Sequence, residues 1–95
     1  MKLAVSRLAA ADLARLHEFL ADKNASAAQR AASAIAEAID SLATNPDRAR
    51  PSKVKGLREL IVPFGRSAYV VRYAHDRERQ EIVIVRIWHG REARE

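Results

Sequence analysis

The side chains best suited to chemistry gather near the end of the sequence, in His89-Gly90-Arg91-Glu92. A histidine titrates near neutrality and can give or take a proton there. An arginine two residues later supplies a planar cation for phosphate or carboxylate, and the glycine between them lets the backbone turn. The cluster closes an apolar, β-branched run, Ile82-Val83-Ile84-Val85-Arg86-Ile87-Trp88. Such a run reads as a strand buried on at least one face, so His89 and Arg91 stand at its tip on a fixed support. Arg58, Arg66, Arg72 and Arg86 are the other candidate cations, and Arg58 and Glu59, adjacent on a strand, point to opposite faces. Each has a plainer reading. His89 is either an acid/base group or a strand-end histidine bonded to a nearby carbonyl. Arg86 and Arg91 either bind phosphate or an acidic partner, or form surface ion pairs with Glu59 or Glu92 that are worth little. Trp88 either anchors a partner or caps the core. Tyr69 and Tyr73 are expected to pack with their hydroxyls at the sheet margin, and His17 and His75 to be ordinary surface groups. With no cysteine, no histidine–carboxylate pair at ligand spacing and no glycine-rich loop, neither a metal nor a cofactor is expected.

The elements that must position these groups follow from periodicity. Lys2 to Val5 can form an edge strand, and Ser6 is a plausible N-cap. From Leu8 to about Asp22, Leu13, Leu16 and Leu20 recur at helical spacing, with Phe19 widening the stripe. Ser26-x-x-Gln29 has the pattern of a capping box, opening a second helix whose apolar face is Ala28, Ala31, Ala32, Ile35, Ile39 and Leu42. Alanine favours helix and lets a neighbour approach closely, so the two helices should form a tight hairpin over about 7–44. A basic connector with two prolines follows, over about 45–56. Three strands joined by short turns then make a meander over about 57–89. Alternation puts Tyr69, Val71 and Tyr73 on one face of the middle strand. On the last strand it puts Val83, Val85 and Ile87 opposite Ile82, Ile84, Arg86 and Trp88. Arg72 and Arg86 would be costly in a core unless paired, which places both toward the open face or an edge. The expected fold class is α+β, a single domain with a helical hairpin packed on a small antiparallel sheet.

Ninety-five residues with 48% apolar content support one core, and a chain this short gains from a stabilising partner. Net charge is +5, all of it in the second half: residues 1–43 balance five basic against five acidic groups. Arg48, Arg50, Lys53, Lys55 and Arg58 fall in a run with no acidic residue. That run is either a positive field for nucleic acid or an acidic protein, or a solvated loop. No segment approaches the length of a membrane span or the pattern of a signal peptide, so a cytoplasmic protein is expected.

The order of elements, together with Arg50-Pro51, Gly56-Leu57-Arg58-Glu59-Leu60-Ile61-Val62, Tyr69-Val70-Val71-Arg72-Tyr73 and Ile84-Val85-Arg86-Ile87-Trp88-His89-Gly90-Arg91-Glu92, resembles the RelE/ParE superfamily of toxins from bacterial type II toxin–antitoxin systems. The Gly-Leu-Arg-Glu-Leu and His-Gly-Arg-Glu pieces look more like the ParE branch. The resemblance implies a growth-inhibiting toxin that poisons DNA gyrase without being an enzyme. A cognate ParD-like antitoxin would neutralise it in a hetero-oligomer, its amphipathic, rather acidic segment covering the apolar helical surface and the groove beside the sheet. Arg58, Arg72, Arg86, Trp88, His89 and Arg91 would then contact target or antitoxin. The alternative is a RelE-like, metal-independent endonuclease of ribosome-bound mRNA using His89, Arg91, Arg66 and Arg58. Such cleavage needs a base, an acid and cations for the phosphorane. Nuclease-type members usually place an arginine where this chain has Val70, and the strand with Arg58 and Glu59 lacks a lysine. A small nucleic-acid-binding module is a third reading, weakened by the scarcity of aromatics for base stacking.

Overall fold

The computed structural model describes residues 1–92. In chain order the elements are β1 (Lys2–Val5), α1 (Arg7–Ala21), α2 (Ala25–Ser41), β2 (Arg50–Pro51), β3 (Leu57–Phe64), β4 (Ser67–Asp76) and β5 (Glu81–His89). The strands form one sheet in the order β1-β5-β4-β3-β2. The α+β class holds, but the sheet is mixed. β3, β4 and β5 are the antiparallel meander, and β1 lies parallel to β5, with Lys2 opposite Glu81 and Val5 opposite Ile84. The connector is not wholly irregular either: Arg50 and Pro51 pair with Glu59 and Arg58 as a two-residue outer strand. Proline is tolerated on an edge strand.

Helix α1 starts where the sequence predicted. The Ser6 hydroxyl accepts the Ala9 N–H at 3.1 Å and donates to the Val85 carbonyl at 2.9 Å, so the cap also ties the helix to β5. Helix α2 starts earlier than the capping-box pattern suggested. Asn24 Oδ1 accepts the Ala27 N–H at 3.0 Å, and the Ser26 hydroxyl, already inside the helix, receives Arg30. Asparagine is among the strongest N-caps, and it precedes Ser26, so it wins the position.

The helices bury Ala9, Leu16, Ala31, Ile35, Ile39 and Leu42 against Leu60, Val62, Tyr69, Val71, Tyr73, Ile82, Ile84 and Ile87 of the sheet. Simple alternation fails on β5. Tyr73 pairs with Ile84 but Arg72 with Arg86, so Val85 is an extra residue in a β-bulge. The bulge brings Ile87 to the same face as Ile82 and Ile84, all three with no exposure, where unbroken alternation would separate them. Tyr73 is also fully buried rather than marginal, and its hydroxyl donates to the Pro46 carbonyl at 2.6 Å.

β1 ends opposite Ile84, while β5 runs on to His89. The edge of β5 beyond that point faces α1. There Asp12, only 5% exposed, accepts the Ile87 N–H at 2.9 Å and takes Arg86 through both Nε (2.9 Å) and Nη2 (3.1 Å). Arg86 therefore lies at an edge as expected, but it is paired to a helix rather than presented.

Burial pushes the Asp12 carboxyl up, but its bonds from Arg86 and from the Ile87 N–H outweigh this and hold it below its ordinary 3.8. A carboxylate lowered on folding stabilises the fold above its unfolded value, and that contribution disappears as pH falls from about 4 through the lower folded value. Asp12→Ala leaves a guanidinium and an amide without their shared acceptor. It is expected to cost about 2–4 kcal/mol at pH 7, since one partner of a shielded pair is removed. Urea unfolding at pH 7 and pH 3 checks this: the gap between wild type and variant should narrow at the lower pH.

Candidate functional site

Tyr69 pairs with His89 across β4 and β5, and Gly90 N–H donates to the Ala68 carbonyl at 2.8 Å. A Cβ on Gly90 would lie 3.1 Å from that carbonyl oxygen, so glycine permits the close approach that turns the chain. The His89 ring meets Tyr69 edge-on at 5.4 Å, and Tyr69 meets Phe64 at 5.9 Å. His89 Nδ1 accepts the Arg91 N–H at 3.2 Å, so a backbone amide, not a carbonyl, is its partner. This leaves Nε2 as the nitrogen able to meet another molecule. Glu92 Oε1 accepts both the His89 N–H and Arg15 of α1, each at 3.1 Å, fastening the turn to the helix. Arg66 sits in the tight turn after Gly65, whose φ of +61° suits glycine, and both Arg66 and Arg91 are exposed. His89, Arg91 and Arg66 thus share one end of the sheet.

Arg58 does not join them. It pairs with Tyr73 on β4, four residues from Tyr69 and so roughly 13 Å along the strand at ~3.3 Å per residue. Its guanidinium donates to the Ala49 carbonyl at 2.6 Å and approaches Asp47 at 3.6 Å, pinning the connector. Asp47 also meets His75 Nδ1 at 3.0 Å and Arg77 at 2.8 Å. The His75 side chain is accordingly shielded, 8% exposed, and is not the surface group expected. The bonds from His75 and Arg77 hold the Asp47 carboxyl below its usual range.

Arg72 lies on the face away from the helices, as alternation required, yet it is buried. Glu59 Oε2 accepts from its Nε (3.2 Å) and Nη2 (2.9 Å), and the guanidinium stacks 4.7 Å from the Trp88 ring centre. Ser52 and Arg50 complete the shell of Glu59 at 2.8 and 3.4 Å. Burial raises the Glu59 carboxyl, but bonds from Ser52, Arg72 and Arg50 bring it below its ordinary value. Neither Arg72 nor Trp88 is open to solvent, and the partner of Glu59 is Arg72 rather than Arg86. Trp88, 7% exposed, caps this cluster.

A sizeable concavity lies over the helical hairpin. It is a groove of about 610 Å³ whose lining includes Leu13, Leu20 and Ile35, alanines such as Ala28 and Ala32, and Val5 and Tyr69 of the sheet. Its charged lining residues are Glu18 and Asp40. Sequence reasoning did not single out Asp12, Arg15, Asp47, Glu18 or Asp40. Asp12 carried a signal: it falls among Ala9, Leu13 and Leu16 on the apolar stripe of α1, where a charge needs a partner. Among the described residues no group of three histidine or carboxylate side chains is placed to hold a metal, and no helix is long and apolar enough to cross a membrane.

Arg72→Met should expose the chain's one tryptophan to altered surroundings and strand the Glu59 carboxylate. The expected outcome is a shifted Trp88 emission spectrum and a loss of about 2–4 kcal/mol in chemical denaturation. An unchanged spectrum would mean that the stacking does not exist in solution.

Comparison with known proteins agrees with this architecture. The family of the ParE toxin of type II toxin–antitoxin systems, parDE, matches residues 3–94. The chain is 40% identical over 90 residues to Toxin RelE1 of Caulobacter vibrioides, covering 95% of this chain and 94% of that one. It is 37% identical over 83 residues to Toxin RelE3 of the same organism, covering 87% of each. Among solved structures, the chromosomal ParDE toxin–antitoxin system from P. aeruginosa superposes with a TM-score of 0.77 at 29% identity, over 94% of this chain and 95% of that one. The chain therefore belongs to the ParE toxin family, as the toxin of a type II toxin–antitoxin system in the RelE/ParE superfamily.

Proposed function

We propose that this toxin is ParE-like in its target: it binds DNA gyrase and blocks the enzyme's religation cycle, and a ParD-like antitoxin neutralises it. The observation that supports this reading is that the nuclease set is not brought together whole. Arg58 is held by connector carbonyls at the opposite end of the sheet from His89. Val70 is an apolar residue packed opposite Trp88, where it can neither bind phosphate nor move a proton. Arg72 is neutralised by Glu59. Among the described residues, what remains exposed at the tip is two cations, Arg66 and Arg91, beside one histidine. That suffices to bind an anionic or carbonyl-rich surface, and among the described residues it is a sparse set for stabilising a pentacovalent phosphate. On this reading the tip contacts gyrase, and the antitoxin occupies the groove over the helices.

One observation favours the alternative. His89, Arg66 and Arg91 lie at one end of the sheet, and an imidazole can donate or accept a proton. An endonuclease of ribosome-bound mRNA would use these three without Arg58.

The two readings separate cleanly. Purified toxin is expected to inhibit supercoiling or trap cleaved DNA with gyrase, and to leave mRNA on translating ribosomes intact. Arg91→Ala and Arg66→Ala together should weaken gyrase inhibition by about tenfold or more, given two lost charged contacts at an interface. Cuts in ribosome-bound mRNA that vanish in His89→Ala, with gyrase unaffected, would replace the gyrase assignment with the nuclease one.

A further inference from the structure

The end of the sheet away from His89 is built from two turns and the connector. Leu57 at the start of β3 pairs with Ala74, and Asp76 at the end of β4 pairs with Glu81. The loop joining β2 to β3, residues 52–57, and the turn joining β4 to β5, residues 77–80, therefore project from the same end. They stand two strand spacings apart, roughly 10 Å at ~4.8 Å per spacing. The β2–β3 loop is closed by the Ser52 N–H on the Leu57 carbonyl at 2.9 Å and the Leu57 N–H on the Val54 carbonyl at 3.1 Å, with Gly56 at a φ of +86°. Its form is thus fixed. Lys53 and Lys55 sit on it, both exposed and both without a hydrogen bond or ion pair among the described residues.

Arg77 and Arg79 are exposed on the facing turn. Near them lies a notch of about 290 Å³ whose lining includes Asp47, Arg58, His75 and Arg77. Asp47 meets Arg58, His75 and Arg77 there, so one carboxylate fixes two guanidinium groups and cancels only one of their charges. Asp76 approaches Arg79 at 3.7 Å, and Glu78 is exposed on the same turn. With Arg48 of the connector, cations outnumber carboxylates at this end.

The surface lacks what a protein interface or a single strand would use. Protein interfaces centre on aromatic or apolar anchors, and single strands stack their bases on exposed rings. Tyr73 at this end is fully buried, its hydroxyl bonded to the Pro46 carbonyl, and the exposed apolar side chain between the two lysines is Val54. Cations without an apolar centre suit a phosphate backbone, whose contacts position a protein without reading sequence. Two cationic turns at this separation come close to the ~12 Å width of a major groove, so each can follow one of its bordering strands.

We propose that this end of the sheet binds the sugar–phosphate backbone of duplex DNA, through Lys53 and Lys55 on one turn and Arg77 and Arg79 on the other. That the duplex is DNA rests on the gyrase reading, because DNA is what that enzyme holds; the cationic surface does not rest on it. The ten-residue strand β4 separates this end from the His89 tip, so one end can meet the enzyme and the other the enzyme's DNA.

The test is fluorescence anisotropy of the full chain with a short labelled DNA duplex over a series of salt concentrations. The logarithm of the binding constant should fall against the logarithm of salt with a slope of about −3 to −4, as for four neutralised phosphates, and a scrambled duplex should give the same line. Lys53→Gln/Lys55→Gln and Arg77→Gln/Arg79→Gln should each make the slope shallower by about 2. Lys23→Gln/Arg30→Gln removes the same charge from the helical hairpin and should leave it unchanged. A slope that all three variants reduce alike, or that none reduces, would overturn the proposal. So would tighter binding of an RNA duplex, or displacement by polyglutamate as effective as by unlabelled DNA of equal charge, which would assign the surface to an acidic protein. Supercoiling assays on the same samples keep the two readings apart. A chain that inhibits gyrase but shows no such slope loses this inference alone, and one that binds DNA through both turns but leaves gyrase untouched loses the target reading alone.

Discussion

The sheet is longer on one strand than its neighbour can cover. β1 stops at Val5, opposite Ile84, and β5 continues to His89. Backbone groups left at such an edge, under a helix, must find other partners. Helix α1 supplies them in sequence: Ser6 for the Val85 carbonyl, Asp12 for the Ile87 N–H. Because Asp12 also binds Arg86, one carboxylate satisfies an edge amide and an otherwise costly guanidinium together. The clasp fixes one stripe of α1 against β5 and leaves another turned to the groove. The stripe carrying Asp12 and Arg15 faces β5 and the C-terminal turn through Glu92. The stripe carrying Leu13 and Leu20 walls the groove.

The opposite face of the sheet solves the same problem with a second closed pair. Glu59 and Arg72 neutralise each other under Trp88, and Asp47 gathers Arg58, His75 and Arg77 at the connector. Carboxylates are thus used where the sheet would otherwise hold unpaired cations. Of the site candidates, Arg66 and Arg91 remain outward-facing, at the tip beside His89. The cationic tip and the apolar groove adjoin at Tyr69, which lines the groove and packs against His89.

Much of this was legible in the residues. Helical spacing of leucines and alanines, the Ser6 cap and the change to strand alternation after Gly56 gave the order of elements. What alternation could not show was the bulge at Val85. A single inserted residue reverses every side chain beyond it, and no turn residue marks the place. The two-residue strand at Arg50–Pro51 was hidden for a similar reason: two residues carry no period. Arg72 and Arg86 were correctly suspected of needing partners, but the partners lie 13 and 74 residues away in sequence, beyond any local pattern. His89 and Arg91 do stand together at the strand end, whereas Arg58 is separated from them by the register of three strands, which the sequence leaves open.

Hydrogen exchange at the Ile87 amide reads the clasp most directly. This N–H lies beyond the end of β1 and is held by a side chain rather than a strand. At neutral pH it should be as protected as the amides of β5 that are paired with β1. In Asp12→Asn, or as pH falls through the Asp12 titration, it should lose protection before they do. An Ile87 amide that exchanges at the rate of an open sheet edge in the wild-type protein would contradict the account.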